Sequence, residues 1–379
     1  PKVAHVATVD LSLRYLLLNQ LESIRESGYD VVAISAPGPD VPTIEAHGIP
    51  HFDVPMTRRF TPFADLKALI ALTRLMRRER FDLVHTHTPK AGLLGQLAAR
   101  LSGVPVVVNT LHGFYFHDGT KPVVRRFYVL MEWIAASCSD VILSQNKEDI
   151  ATAIDEGIAK PELLKWLGNG IDIERFDRTR LDEETLDALR TDIGLDEDAP
   201  VVGFVGRLVE EMGILDLLEA AKSVVAHHPR AQFLIVGPYD DEKPDALRPD
   251  IAERYGVADR CRFLGMRQDM PELYALMDVL VLPSYREGFP RTPMEASAMG
   301  VPCVVTDIRG CRDTVDHGIN GLLFPAGDSG ALADAINELL ADEGRLREMG
   351  DAGRSIAEDR FDERKVFDRV LAEYERLLG

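Results

Sequence analysis

Two glutamates, Glu287 and Glu295, bracket the seven residues GFPRTPM. The apolar run 279–282 before them reads as a strand ending at Pro283, and a helix is expected to open near Thr292. Thr292 suits the cap and Pro293 the first helical position, because proline lacks the N–H that would go unsatisfied there. A strand–loop–helix start aims backbone N–H groups and the positive dipole end at an anion, typically a phosphate. Two carboxylates beside a phosphate site would be repelled by it unless each accepts hydrogen bonds from neutral hydroxyls. Sugar and ribose hydroxyls meet that requirement.

Other segments carry polar residues at apparent strand ends. Gly206 and Arg207 follow the run 201–205, and an arginine fork matches phosphate oxygens. Gly265, Met266 and Arg267 follow a strand at 262–264, where a glycine permits close approach and the next two residues can meet a nucleotide base. His112 comes directly after the run 106–111, with His117 and Asp118 in the same neighbourhood. His85, His87 and Lys90 end the run 83–86. A His-x-His pair suggests metal, but neither a third histidine nor a carboxylate stands at ligand spacing, so His87 and Lys90 are expected to contact acceptor or phosphate. Asp10, Ser12 and Arg14 follow the first run. The acidic stretches 196–198 and Asp240-Asp241 sit in polar connectors and read as solvated turns, not metal sites.

These segments need two sets of alternating elements to position them. Strands are expected at 3–9, 31–35, 83–86, 106–111, 141–144 and 163–167, with helices at 16–27, 62–80, 91–102 and 123–137 between them. After a Gly- and Asp-rich connector at 168–177, strands follow at 201–205, 232–236, 262–264, 279–282, 303–306 and 322–324. Their helices fall at 213–227, 270–277 and 293–299, and three more close the chain at 329–341, 344–359 and 363–378. Short apolar strands alternating with helices imply parallel sheets covered on both faces. The expected fold class is α/β, two doubly wound domains with a crevice between them and ligands at the carboxyl ends of the strands.

A chain of 379 residues suits two such domains. Hydrophobic residues make up 46% and charged residues 28%, ordinary for a globular protein, and no apolar run approaches the roughly 20 residues of a membrane span. The start reads as a strand without a secretory leader. Four scattered cysteines, Cys138, Cys261, Cys303 and Cys311, form no CxxC pair, which favours incidental thiols in a reducing cytoplasm. The net charge of −19 is uneven: residues 1–175 hold 19 basic against 20 acidic residues, the remainder 24 against 42. The near-neutral first part carries the basic clusters Arg58-Arg59, 74–80 and Arg125-Arg126, which read as solvated helix faces or as a contact with an anionic membrane or a phosphorylated acceptor. The acidic total disfavours nucleic acid.

The segment from Glu287 to Glu295 resembles the E-x7-E motif of the retaining GT-B glycosyltransferases of family 4, and the likeness covers essentially the whole chain. The resemblance implies an acceptor-side domain at 1–170, with a C-terminal helix from about 360 to 379 packing back on it, and a nucleotide-sugar domain at 171–359. It implies that Glu287, Gly288, Phe289 and Pro290 hold the donor sugar and Glu295 the ribose. Arg207 would clamp the diphosphate, His112 would lie near the anomeric centre, and Gly206, Gly265, Met266, Arg267, Arg291 and Thr292 would complete the donor site. His112, Arg207 and Glu287 form the implied catalytic set, and Asp10, Ser12, Arg14, His87 and Lys90 are acceptor candidates.

The implied reaction is retaining transfer of a sugar from a nucleotide-diphosphate sugar, UDP favoured, to a lipid-linked or polysaccharide hydroxyl. No metal or other cofactor is implied, and the setting is cytoplasmic, at the inner face of the cell membrane. A non-catalytic nucleotide-sugar-binding protein and a sugar-nucleotide 2-epimerase-type isomerase are the alternatives. Two departures stand out: Met212 occupies the position of a diphosphate-binding lysine, and the first strand–helix turn lacks the family's glycines. Loss of that cation is expected to weaken donor binding by about 1–3 kcal/mol unless another, such as Arg291, replaces it.

Overall fold

Apolar strands buried on both faces need helices on both sides, and the chain meets that need twice. The computed structural model describes all residues except 58–60, 117–118, 241–242 and 244. Arg58, Arg59, His117, Asp118 and Asp241 therefore lie outside the described residues. The chain divides into two compact units, Pro1–Gly168 with Val366–Gly379, and Asn169–Lys365.

In the first unit, β1 (Lys2–Val9), β2 (Asp30–Ala36), β3 (His51–Asp53), β4 (Leu83–His87), β5 (Val106–Leu111), β6 (Val141–Ser144) and β7 (Leu164–Trp166) form one sheet in the order β3-β2-β1-β4-β5-β6-β7. Every pairing is parallel. The strand direction of travel reverses between β1 and β4, so the loops after these two strands flank the topological switch point. β3 was not among the expected strands; it is a three-residue edge strand with no apolar run to announce it.

Helix boundaries differ most at the first turn. Helical backbone was expected from residue 16, but it starts at Asp10, directly after β1, and passes through a π-helical turn at Leu13–Leu17 before continuing as Leu18–Glu26. A π turn inserted in a helix is uncommon and often sits at a functional site. Helices at Val41–Ala46, Lys147–Asp155 and Glu183–Asp192 also went unread. The last two begin on Asn146 and Asp182, whose side chains accept backbone N–H bonds of the first turn, a start signal present in the sequence.

One face of the first sheet packs Val3, Ala7, Leu83, Val106 and Val108 against Val366, Val370 and Tyr374 of the helix Glu363–Leu378. The opposite face packs Ala4, Val6, Val84 and Val107 against the helices Pro62–Glu79 and Pro89–Ser102.

In the second unit, β8 (Val201–Val205), β9 (Gln232–Val236), β10 (Cys261–Gly265), β11 (Val279–Leu282), β12 (Cys303–Thr306) and β13 (Gly321–Phe324) are again all parallel, in the order β10-β9-β8-β11-β12-β13. The switch point here lies between β8 and β11, the strands that lead into Arg207 and Glu287. All four cysteines are free thiols.

Candidate active site

In the second unit the loops beyond β8, β11 and β12 converge, and backbone contact holds them together. Gly213 adopts a left-handed conformation (φ +72°), and a Cβ there would overlap the Pro283 carbonyl after β11. Gly310 (φ +86°) likewise has no room for a Cβ against the Gly288 carbonyl. The short helix turn Glu210–Met212 after β8 is thereby pressed against the loop that bears Glu287.

Glu287 is half-buried as a residue, and its carboxyl is enclosed by protein. Burial pushes its pKa up to about 7, against the opposing hydrogen bond from Ser284 and the charges of Arg286 and Arg207. The buried hydroxyl of Ser284 serves this carboxylate, while Thr306 donates to the Ser284 carbonyl at 2.7 Å and fixes the loop. Neither residue carried a signal in the sequence beyond a polar type at a strand end.

Arg207 follows β8 and pairs with Asp240 at 3.0 Å. Asp240 is buried, which corrects its reading as a solvated turn: it holds the guanidinium expected to meet phosphate. The acidic stretch 196–198 is an exposed turn. Met212 packs into both apolar clusters of the unit; its methyl lies against Gly206, and its sulfur is 3.8 Å from the Ser284 hydroxyl. Arg291 faces Glu295 (3.9 Å) and Glu363 (3.6 Å). Arg286, absent from the expected set, pairs with Glu211 at 2.8 Å and acts on Glu287.

The helix after Glu287 spans Arg291–Ala298, with Pro290 at the cap. This corrects the expected start: Pro290 already has extended backbone (φ −68°, ψ 134°), so Thr292 and Pro293 lie inside the first turn and the Thr292 hydroxyl caps nothing. No side chain caps this turn, and a helix start of this kind suits an anion. Phe289 packs edge-on to Phe361, and its carbonyl accepts from Asn169 at 2.9 Å. Glu295 accepts from Tyr274 at 2.8 Å through one oxygen. At the end of β10, Gly265 is left-handed (φ +67°); beyond it Met266 is exposed, and Arg267 forms a two-bond pair with Asp269.

In the first unit the acceptor candidates are mostly committed to the interior. The Asp10 carboxylate is buried and accepts from the Asp40 amide at 2.8 Å. Lys90 is buried, bonded to Asp65 (2.5 Å) and Thr57 (2.9 Å). His87 is buried between His5 (3.0 Å) and His112 (3.3 Å). Asp10, His87 and Lys90, three of the acceptor candidates, are thus bonded within the unit. Ser12 and Arg14 are half-buried on the first helical turns, with Arg14 over the Tyr15 ring.

His112 joins His87 to Gln145, whose carbonyl oxygen is 3.1 Å from Nδ1. Burial pushes its pKa down to about 4. The third histidine missing from the His-x-His reading is His5, 80 residues earlier on the neighbouring strand; ring nitrogens of His5, His85 and His87 lie within 4.8 Å of one another. Thr88, between this strand and the next helix, has a strained left-handed φ of +63°.

Comparison with known proteins is consistent along the chain. Residues 187–356 match the family described as glycosyl transferases group 1, and residues 14–170 match the glycosyl transferase 4-like domain. The UDP-Gal:alpha-D-GlcNAc-diphosphoundecaprenol alpha-1,3-galactosyltransferase of Escherichia coli is 32% identical over 351 residues, 90% of this chain and 88% of that one. The capsular polysaccharide biosynthesis glycosyltransferase CapM of Staphylococcus aureus is 30% identical over 391 residues, covering 100% and 97%. Among solved structures, Anabaena HepE in complex with UDP and glucose superposes with a TM-score of 0.84 at 23% identity, covering 99% of each chain, a likeness of fold.

Because the native state holds the Glu287 proton more tightly than the unfolded chain does, stability falls as pH rises from about 4.5 to about 7 and levels off above. Glu287→Gln removes that loss. Urea unfolding is expected to find the variant gaining on the wild type across this window by about 2 kcal/mol, less than the full shift because the residue is half-exposed. A difference independent of pH would contradict the enclosed carboxyl.

Proposed function

The chain belongs to the group 1 glycosyltransferases, and from that premise we propose that it moves a sugar from a nucleoside-diphosphate sugar, UDP favoured, to a hydroxyl of a lipid-linked or saccharide acceptor. The observation that carries this reading is the convergence of Arg207 and Glu287 just beyond the two strands that flank a switch point, beside a helix start without a side-chain cap. In this reading the Arg207 fork and the first-turn amides of the helix Arg291–Ala298 receive the diphosphate, Glu287 and the loop 288–290 the sugar hydroxyls, and the second oxygen of Glu295 the ribose. The exposed Met266 offers the base an apolar surface. The E. coli and S. aureus relatives, whose names give a lipid-diphosphate acceptor and capsular polysaccharide, support the acceptor class.

Transfer then proceeds with retention. The bond from the anomeric carbon to the phosphate oxygen breaks, and the leaving diphosphate takes the electron pair under the charge of Arg207. The acceptor oxygen bonds to the same face of the sugar, and its proton passes to the departing phosphate. The chemistry needs positioning and charge, with no protein nucleophile and no metal. NMR of the product from a matched UDP-sugar and lipid-diphosphate acceptor is expected to find the donor's anomeric configuration, formed undiminished in EDTA. An inverted anomer, or activity lost to EDTA and restored by a divalent ion, would reject the mechanism.

Peripheral contact with an anionic membrane, at the inner face of the cell membrane, belongs to the same reading. No helix among the described residues is long and apolar enough to cross a membrane. The helix Pro122–Ala136, however, exposes Val123, Val124, Phe127, Leu130 and Trp133 beside Lys121 and Arg126. Apolar side chains rimmed by cations suit a headgroup boundary. The double variant Phe127→Ala, Trp133→Ala is expected to sediment less with phosphatidylglycerol vesicles than the wild type. Equal sedimentation would remove this helix from the contact.

A further inference from the structure

Strand periodicity gathers a row of rings on one face of the first sheet. His5 on β1 lies in register with His85 on β4. His87 stands two residues on, hence on the same face, and β5 contributes Thr110 with His112 just beyond its end. Tyr374, from the helix Glu363–Leu378, covers the row and is fully buried.

The polar contacts form one unbroken series. Thr110 Oγ1 is 2.7 Å from His85 Nε2, and His85 Nδ1 is 2.6 Å from the Tyr374 hydroxyl. That hydroxyl is 3.2 Å from His5 Nε2, and His5 Nδ1 is 3.0 Å from His87 Nε2. His87 Nδ1 is 3.3 Å from His112 Nε2, and His112 Nδ1 is 3.1 Å from Gln145 Oε1.

We propose that Tyr374, His85, His5 and His87 are positioning residues that hold His112 as a neutral ring of one fixed tautomer, a role that rests on the transfer reading above. A neutral imidazole has one N–H and one bare nitrogen, so each ring passes the direction of bonding to the next. The direction is set at the Gln145 end. If His112 donates Nδ1–H to Gln145, then His112, His87 and His5 must each accept at Nε2, the last from the Tyr374 hydroxyl, so His87, His5 and His85 also carry hydrogen on Nδ1. If the Gln145 amide donates instead, His112, His87 and His5 carry it on Nε2. Gln145 presents its oxygen, which selects Nδ1. Burial independently holds all four rings below their ordinary pKa, hence neutral.

A second proton on His87 or His112 would set two ring N–H donors face to face, so His112 meets its ligand as an acceptor and not as an acid. The last ring-to-ring contact, to His112 Nε2, is the longest of the series, so it is the one a sugar hydroxyl competes for. A metal ion among His5, His85 and His87 is the competing occupant. It would have to take His5 and His85 from hydroxyl partners they already hold.

The test is multiple-bond proton–nitrogen NMR of protein labelled at histidine, with these four assigned by substitution. Four neutral Nδ1–H tautomers across pH 6–8 are expected. Mixed tautomers, a charged ring, or stoichiometric zinc whose chelation rearranges the four signals would overturn the proposal. Tyr374→Phe breaks the series at its centre while keeping the ring. It is expected to mix the His112 tautomers and lower kcat about tenfold, the effect of losing one hydrogen bond, with donor KM unchanged. Gln145→Leu cuts the series at its far end and reads the same signals if Tyr374→Phe does not fold; His112 signals unmoved by a folded variant would reject the relay. Uniform tautomers in a protein that transfers no sugar would instead reject the transfer reading, leaving the relay standing.

Discussion

The second unit depends on backbone meeting backbone where side chains would ordinarily intervene. With Gly213 against the Pro283 carbonyl and Gly310 against the Gly288 carbonyl, the loops after β8, β11 and β12 lie in direct backbone contact. That constraint brings Arg207, which follows one strand, within electrostatic range of Glu287, which follows another. Close packing also explains why a carboxyl in a polar loop resists ionisation: the loops that hold it exclude the water that would solvate its charge.

Within that frame, charges are held in pairs before any ligand arrives. Asp240 holds Arg207, Glu211 holds Arg286, and Asp269 holds Arg267. In the proposed reading, a diphosphate entering the site would compete with these carboxylates for guanidinium groups already held in place. The apolar packing of Met212 fits the same arrangement, because its side chain supports Gly206 and contacts Ser284 instead of reaching for phosphate.

Much of this was legible in the sequence, and for physical reasons. All six strands of the second sheet announced themselves as apolar runs, because parallel strands are buried on both faces. Glu287 and Glu295 were legible because their spacing spans a loop and the first turn of a helix. Asp240 was not, since its partner lies 33 residues away and an acidic pair in a connector looks solvated. The histidine row was half legible: His85 and His87 share a face by strand period, but His5 and Tyr374 join them through sheet order and helix packing across 82 and 289 residues. The helix start at Arg291 was misjudged because a threonine followed by proline looks like a cap, while Pro290 had already set the backbone.

The central claim is that the switch point between β8 and β11 is a diphosphate site with Arg207 as its principal cation. Calorimetric titration of UDP into the wild type and into Arg207→Ala tests it most directly. The wild type is expected to bind and the variant to lose about tenfold or more in affinity, the effect of removing a charge-assisted bond of about 1.5–3 kcal/mol. Equal affinity in the two proteins would contradict the account.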